Sequence, residues 1–166
     1  MRTLRLTLAI LVGASLGALS PRARGAEEVW LRSWDAHGRP VSLADMRGKV
    51  VALTFAGKKT RDEATEINDE LSAKAGQDFE VLSSVDLEDI PDFGRGTARK
   101  KIAEADVPGA LEHVVDAKGQ LRRSFNAPMD HVTILVIDKR GELRGRYEGL
   151  AELQQAEKQI EELRSE

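Results

Sequence analysis

The chain contains no cysteine in 166 residues. That excludes a disulfide, a thiolate nucleophile, a Cys-ligated zinc and an iron–sulfur cluster held by the chain alone. Aromatic residues are scarce, at 4%, which argues against stacking of single-stranded nucleic acid. There is no basic excess either. Twenty-five Lys and Arg stand against 28 Asp and Glu, for a net charge of −3, so no electrostatic footprint for nucleic acid is expected. No apolar run reaches the roughly 20 residues that a spanning helix requires. What remains, with 41% apolar and 32% charged residues, is an acidic, mixed globular chain of one domain's length.

The first 25 residues read differently from the rest. Two arginines stand in Met1–Arg5, and Leu6–Leu19 (LTLAILVGASLGAL) is an uncharged apolar run of 14 residues. Small and polar residues follow, up to Ala26. This is the tripartite pattern of a secretory signal peptide, with cleavage after Ser20 or Gly25; the alternative is an uncleaved membrane anchor. Removing residues 1–25 takes four arginines and no acid. Lys+Arg then falls from 25 to 21 against 28 acids, and the net charge moves from −3 to −7. The expected organisation is a signal peptide over 1–25 and one domain over 26–166. A periplasmic or secreted location follows, with no stable membrane insertion after cleavage.

Within the domain, Val29–Trp34 reads as a short strand, and Val41–Leu43 resumes extended structure after the His37-Gly38-Arg39-Pro40 turn. Lys49–Phe55 (KVVALTF) is β-branched, apolar and bounded by Gly48 and Gly57, the pattern of a buried strand. Thr60 with Glu63 has capping-box spacing. A helix is expected from Arg61 to about Ala75, with Ala64, Ile67, Leu71 and Ala75 as its apolar stripe. Phe79–Val85 is a second buried strand, and Asp86–Gly96 is an acidic loop. A helix capped by Thr97 runs to about Ala105. His113–Val115 is a strand, Gln120–Phe125 a helical turn, and His131–Asp138 (HVTILVID) a third buried strand. Lys139-Arg140-Gly141 is a hairpin turn into an edge strand over Glu142–Tyr147. Leu150, Leu153, Ile160 and Leu163 mark a final amphipathic helix. The order β-β-β-α-β-α-β-α-β-β-α predicts an α/β fold, a central mixed sheet with helices on both faces.

Several local patterns are weak as sites. Lys58, Lys59 and Arg61 beside a helix start have the chemistry to attract an anion, but a solvated loop with ordinary surface charge is the preferred explanation. Gly94-Arg95-Gly96 lacks the third glycine and the G-K-[ST] ending of a phosphate loop; a turn needing positive φ explains its glycines. Asp86, Glu88, Asp89 and Asp92 do not follow calcium-loop spacing. His37, His113 and His131 have no metal-ligand spacing, although His113 and His131 open two strands that would be able to lie side by side. No cofactor and no metal ion is expected.

The segments VSLADMRGKVVALTF (Val41–Phe55), VDAKGQLRRSF (Val115–Phe125) and VTILVIDKRGELRGRYEG (Val132–Gly149) together resemble the thioredoxin-like superfamily, in its TlpA/peroxiredoxin branch. The stretch Asp89-Ile90-Pro91-Asp92-Phe93-Gly94, with the segments after it, is similar to the YtfJ family of secreted bacterial proteins, whose label as transcriptional regulators conflicts with their signal peptides. The resemblance implies a thioredoxin-like fold over roughly residues 29–165. It also implies where the redox cysteines of such proteins would stand, at the start of the first long helix. Those positions are Thr60 and Glu63 here, and a carboxylate cannot form a mixed disulfide. The position of the family's cis-proline is Val132, expected trans.

The resemblance therefore implies a scaffold without its thiol chemistry. The expected role is a non-catalytic protein-binding or assembly module with a protein or peptide partner. Its candidate contact residues are Lys58, Lys59, Thr60, Arg61 and Glu63, with Met129, Asp130, His131 and Val132 opposite. Three alternatives stand beside it: an enzyme of non-thiol chemistry using Glu63 or the histidines, a relative whose thiol comes from a partner, and an intracellular regulator retaining residues 1–25.

Overall fold

The computed structural model describes residues 27–29 and 31–166; the expected signal peptide lies outside them. Eight strands form one mixed sheet in the order β1-β8-β7-β4-β5-β6-β2-β3. They are β1 Glu27–Glu28, β2 Arg32–Asp35, β3 Pro40–Ser42, β4 Val50–Ala56, β5 Phe79–Asp86, β6 Leu111–Asp116, β7 Thr133–Ile137 and β8 Glu142–Glu148. The helices are α1 Arg61–Ser72, α2 Asp92–Ala103, α3 Gln120–Ser124 and α4 Leu153–Ser165.

β4 is the centre because its sequence suits no other place. Six of its seven residues are buried, on both faces, as a run without polar alternation requires. It pairs in parallel with β5, Val50 opposite Phe79, and antiparallel with β7, Val51 opposite Ile137. On one face, Val50, Ala52, Phe79, Val81, Ile134 and Val136 meet Ala64, Ile67 and Leu71 of α1 and Leu153, Ala156, Ile160 and Leu163 of α4. On the other, Val51, Leu53, Phe55, Leu82, Leu135 and Ile137 meet Val29, Leu31, Leu121 and Phe125. Phe55 and Phe125 rings lie tilted, 5.4 Å apart. Each large apolar side chain so buried contributes about 1.5–3 kcal/mol.

The β7–β8 hairpin is fixed by Asp138. Its carboxylate accepts from the Arg140 and Glu142 amides, each at 2.9 Å, and from Arg144 Nη1 at 2.9 Å. Burial pushes this carboxyl upward, but those donors outweigh it and hold it below the ordinary range. Asp116 does a similar job at the start of α3, accepting from the Gln120 and Arg122 amides at 2.8 and 2.9 Å.

Four expectations are corrected. Val29–Trp34 is not one strand. β1 is one edge of the sheet while β2 lies near the other, between β6 and the edge strand β3, and Val29 and Leu31 between them pack into the core of its second face. β8 is not the edge, because β1 pairs with it. The first helix ends at Ser72, short of Ala75. The helix expected from Thr97 starts instead at Asp92, absorbing Gly94 and Gly96, neither of which has positive φ. That removes both the phosphate-loop reading and the turn explanation. The periodicity was obscured because glycine is a poor helix former, while Ala98 and Ile102 still pack against Leu87 and Val115.

Candidate functional site

The sheet register alone builds the site. β4 runs into Gly57, and β7 enters the sheet antiparallel beside it, Phe55 opposite Thr133. The end of β4 and the loop before β7 therefore lie together. β8 pairs with β7 so that Glu148 stands opposite Thr133, which brings the entry to α4 to the same place. Segments 57–63, 126–132 and 146–152 converge there.

Gly57 is the contact point. A methyl carbon placed on it would lie 2.6 Å from the Met129 carbonyl oxygen. Its φ of −93° and ψ of 174° suit any residue, so proximity and not conformation requires glycine. Lys58–Thr60 then form one tight turn leading into α1. Lys58, Lys59 and Arg61 are exposed; Thr60 is buried. Its hydroxyl accepts from the Gly57 amide at 2.9 Å and donates to the Gly57 carbonyl at 3.2 Å. Because the hydroxyl is spent there, the expected capping box with Glu63 does not form, and α1 has no side-chain cap.

Glu63 turns away from its own helix. Its Oε1 accepts from the Leu150 amide at 3.1 Å, in the turn before α4, and would lie 2.6 Å from a methyl on Gly149. Glu63 thus ties the first turn of α1 to the entry of the last helix. Glu63→Gln is expected to keep this bond through its amide oxygen, with little change in Tm. Glu63→Ala is expected to cost about 1 kcal/mol in thermal unfolding, as loss of a helix-terminal acceptor does.

The opposite wall is Met129–Val132. Met129 is half-buried and Asp130 exposed. Val132 is fully buried in the α1-side core, and its carbonyl accepts from the Gly149 amide at 2.8 Å. All described peptide bonds are trans, Val132 included, as expected. Neither Val132 nor Thr60 presents a side chain outward, so the open surface reduces to Lys58, Lys59, Arg61 and Met129–His131. His131 Nδ1 is 2.9 Å from Asp130 Oδ1, and its Nε2 is 2.9 Å from Glu148 Oε2.

Arg146, Glu148 and Asn68 carried no motif. Arg146 donates to the Phe125 and Asn126 carbonyls at 2.8 and 3.1 Å and to Glu148 Oε1 at 2.8 Å. Beneath α1, buried Asn68 accepts from Thr54 Oγ1 and donates to Ser83 Oγ, both at 2.9 Å. A polar residue among Ile67 and Leu71 was the available signal.

The other expected patterns come apart in space. His113 lies on β6 and His131 in the loop before β7, strands that β4 and β5 separate; His113 instead pairs with Asp106 at 2.8 Å. Asp86 pairs with Arg122 at 2.8 Å, and Glu88 with Arg123 at 2.7 Å. Among the described residues, no cluster of three His, Asp or Glu can hold a metal ion, and no helix is long and apolar enough to cross a membrane.

No protein-family model and no curated protein sequence matches the chain. Solved structures do. An exposed lipoprotein thioredoxin of Streptococcus pneumoniae superposes with a TM-score of 0.64 at 23% identity, covering 81% of this chain and all of that one. A thiol-disulfide isomerase of Corynebacterium glutamicum gives 0.68 at 17%, covering 86% and 98%. A member of the Sco family of cytochrome c oxidase assembly proteins gives 0.60 at 15%, covering 84% and 94%. The fold is thioredoxin-like, built here without a single cysteine.

Proposed function

We propose that this chain is an exported thioredoxin-fold binding module that has lost thiol chemistry, most akin to the YtfJ family, and that it holds a segment of a protein partner in the periplasm or outside the cell. One observation carries the reading. The two positions where the resemblance puts cysteines are taken by side chains committed to structure, Thr60 to Gly57 and Glu63 to Leu150, while the loop at Met129 still packs against Gly57. The chain has no cysteine to carry thiol chemistry, while the turn at Lys58–Arg61 and the loop at Met129–His131 still meet at Gly57. The apolar leader Leu6–Leu19 supports export.

Lys58, Lys59 and Arg61 project from this surface and make no ion pair among the described residues, so they suit a partner segment with acidic residues. The test is capture from the exported fraction with the wild-type chain and with Lys58, Lys59 and Arg61 replaced by Glu. The expected result is one specific partner, with recovery reduced about tenfold by the reversal, as for charges at the rim of an interface. Recovery of nothing specific, or equal recovery by both chains, removes the reading.

Catalysis of another kind using Glu63 is less favoured, since its carboxylate oxygen already accepts from Leu150. A turnover found in the pure protein and abolished by Glu63→Gln would restore it. Mass spectrometry of the native N-terminus decides between export and an intracellular regulator.

A further inference from the structure

We propose that His131 is a proton-operated latch on this surface, an inference that rests on the binding reading above. Both ring nitrogens stand 2.9 Å from carboxylate oxygens, Asp130 Oδ1 at one end and Glu148 Oε2 at the other. A carboxylate only accepts hydrogen bonds. A neutral imidazole donates through one nitrogen and turns a lone pair outward from the second. The arrangement is satisfied at both ends only by the imidazolium, with two N–H donors.

The surrounding groups fit a cation at that place. From β8, Glu148 also accepts from Thr133 Oγ1 at 3.0 Å and from Arg146 Nε at 2.8 Å. From the turn before α4, Glu152 accepts from the Glu148 amide at 2.8 Å. From α1, Glu63 reaches the neighbouring Leu150 amide, and from the loop itself comes Asp130. Of these carboxylates Glu148 alone also meets a guanidinium, that of Arg146, and the opposite wall presents Lys58, Lys59 and Arg61 to solvent; Asp130 and Glu148 are the two that face the imidazole ring.

The consequence is local. Arg146 holds the beginning of the loop through the Phe125 and Asn126 carbonyls, and that guanidinium does not titrate in the working range. The end of the loop is tied to the entry of α4 by the Gly149 amide donating to the Val132 carbonyl at 2.8 Å, and just before it His131 ties the loop to Glu148 of β8. Loss of the His131 ring proton turns a lone pair on one carboxylate and frees residues 129–131, which carry the carbonyl packed on Gly57. The binding surface is therefore assembled at the acid end of the range over which histidine titrates, about pH 5 to 8, and loosened at the other end.

The experiment is NMR on the full chain with no partner present, following the His131 ring nitrogens and the amides of Met129, Asp130, His131 and Gly149 across that range. At the acid end, both ring nitrogens are expected to be protonated and the loop amides protected. As the ring deprotonates, exchange at 129–131, corrected for its intrinsic pH dependence, is expected to rise several-fold. Glu148→Gln is expected to raise exchange of the loop amides at the acid end as well, and Asp130→Asn to raise it less, since Asp130 is the more exposed. His131→Gln is expected to give the released loop at every pH. A singly protonated ring with the loop still protected, a loop that ignores the titration, or a protected loop in His131→Gln overturns the latch. A failed latch with partner capture intact refutes this inference alone; a working latch with no partner refutes only the binding reading.

Discussion

Gly57→Ala is expected to lower stability by about 2 kcal/mol and Tm by roughly 8 °C, and to abolish partner capture. The added methyl would meet the Met129 carbonyl oxygen at 2.6 Å, closer than any contact it tolerates. The obstacle is backbone, not the flexible end of a side chain, so the loop over 129–132 has to move as a whole. Thermal unfolding and the amide shifts of Met129–Val132 measure the two effects. Gly96→Ala is the control. Gly96 lies within α2, and nothing stands within 4 Å of the added carbon, so alanine there is expected to stabilise by up to about 1 kcal/mol. If Gly57→Ala behaves like Gly96→Ala, the two walls of the site are not in contact.

Asn68→Ala is expected to cost about 3 kcal/mol in denaturant unfolding. It leaves Ser83 Oγ without the Asn68 partner and Thr54 Oγ1 with only the Leu82 carbonyl at 3.4 Å, and an unpaired buried hydroxyl costs about 1–3 kcal/mol. The emptied volume adds to this. The triple change Thr54→Val, Asn68→Leu, Ser83→Ala is expected to recover most of the loss, because replacing all the partners leaves nothing unsatisfied. If Asn68→Ala is neutral, this buried chain does not hold α1 to β4 and β5, and the helix that presents Arg61 and Glu63 is positioned by its apolar stripe alone.

The parts of the fold that were legible in the sequence are those written in periodicity. The β-branched run through Phe55, the stripe Ala64–Ile67–Leu71 and Leu153, Ile160 and Leu163 of the last helix bury as their spacing predicts, whereas Leu150, expected on the same face, lies in the turn before α4 and is exposed. What periodicity could not reveal was anything set by register across the sheet. Glu63 has capping-box spacing from Thr60, yet its partner is Leu150, 87 residues away. Glu148 and Arg146 sit in an alternating strand like any other, and only pairing with β7 brings them to His131. The start of α2 was hidden for a different reason: two glycines in its first turns read as loop, and packing on Leu87 and Val115 overrode their low propensity. The candidate contact residues were found by analogy with the thioredoxin scaffold, but the analogy did not tell which of them face outward.

The central claim is that the surface around Lys59 and Met129 holds a partner by contact alone. A photo-crosslinking side chain placed at residue 59, compared with one at Lys158, exposed on α4, tests it most directly in cells exporting the protein. The account predicts one discrete adduct from position 59, none from 158, and no loss of the adduct under reducing conditions. Adducts from 158 alone, or a partner released by reductant before irradiation, would contradict it.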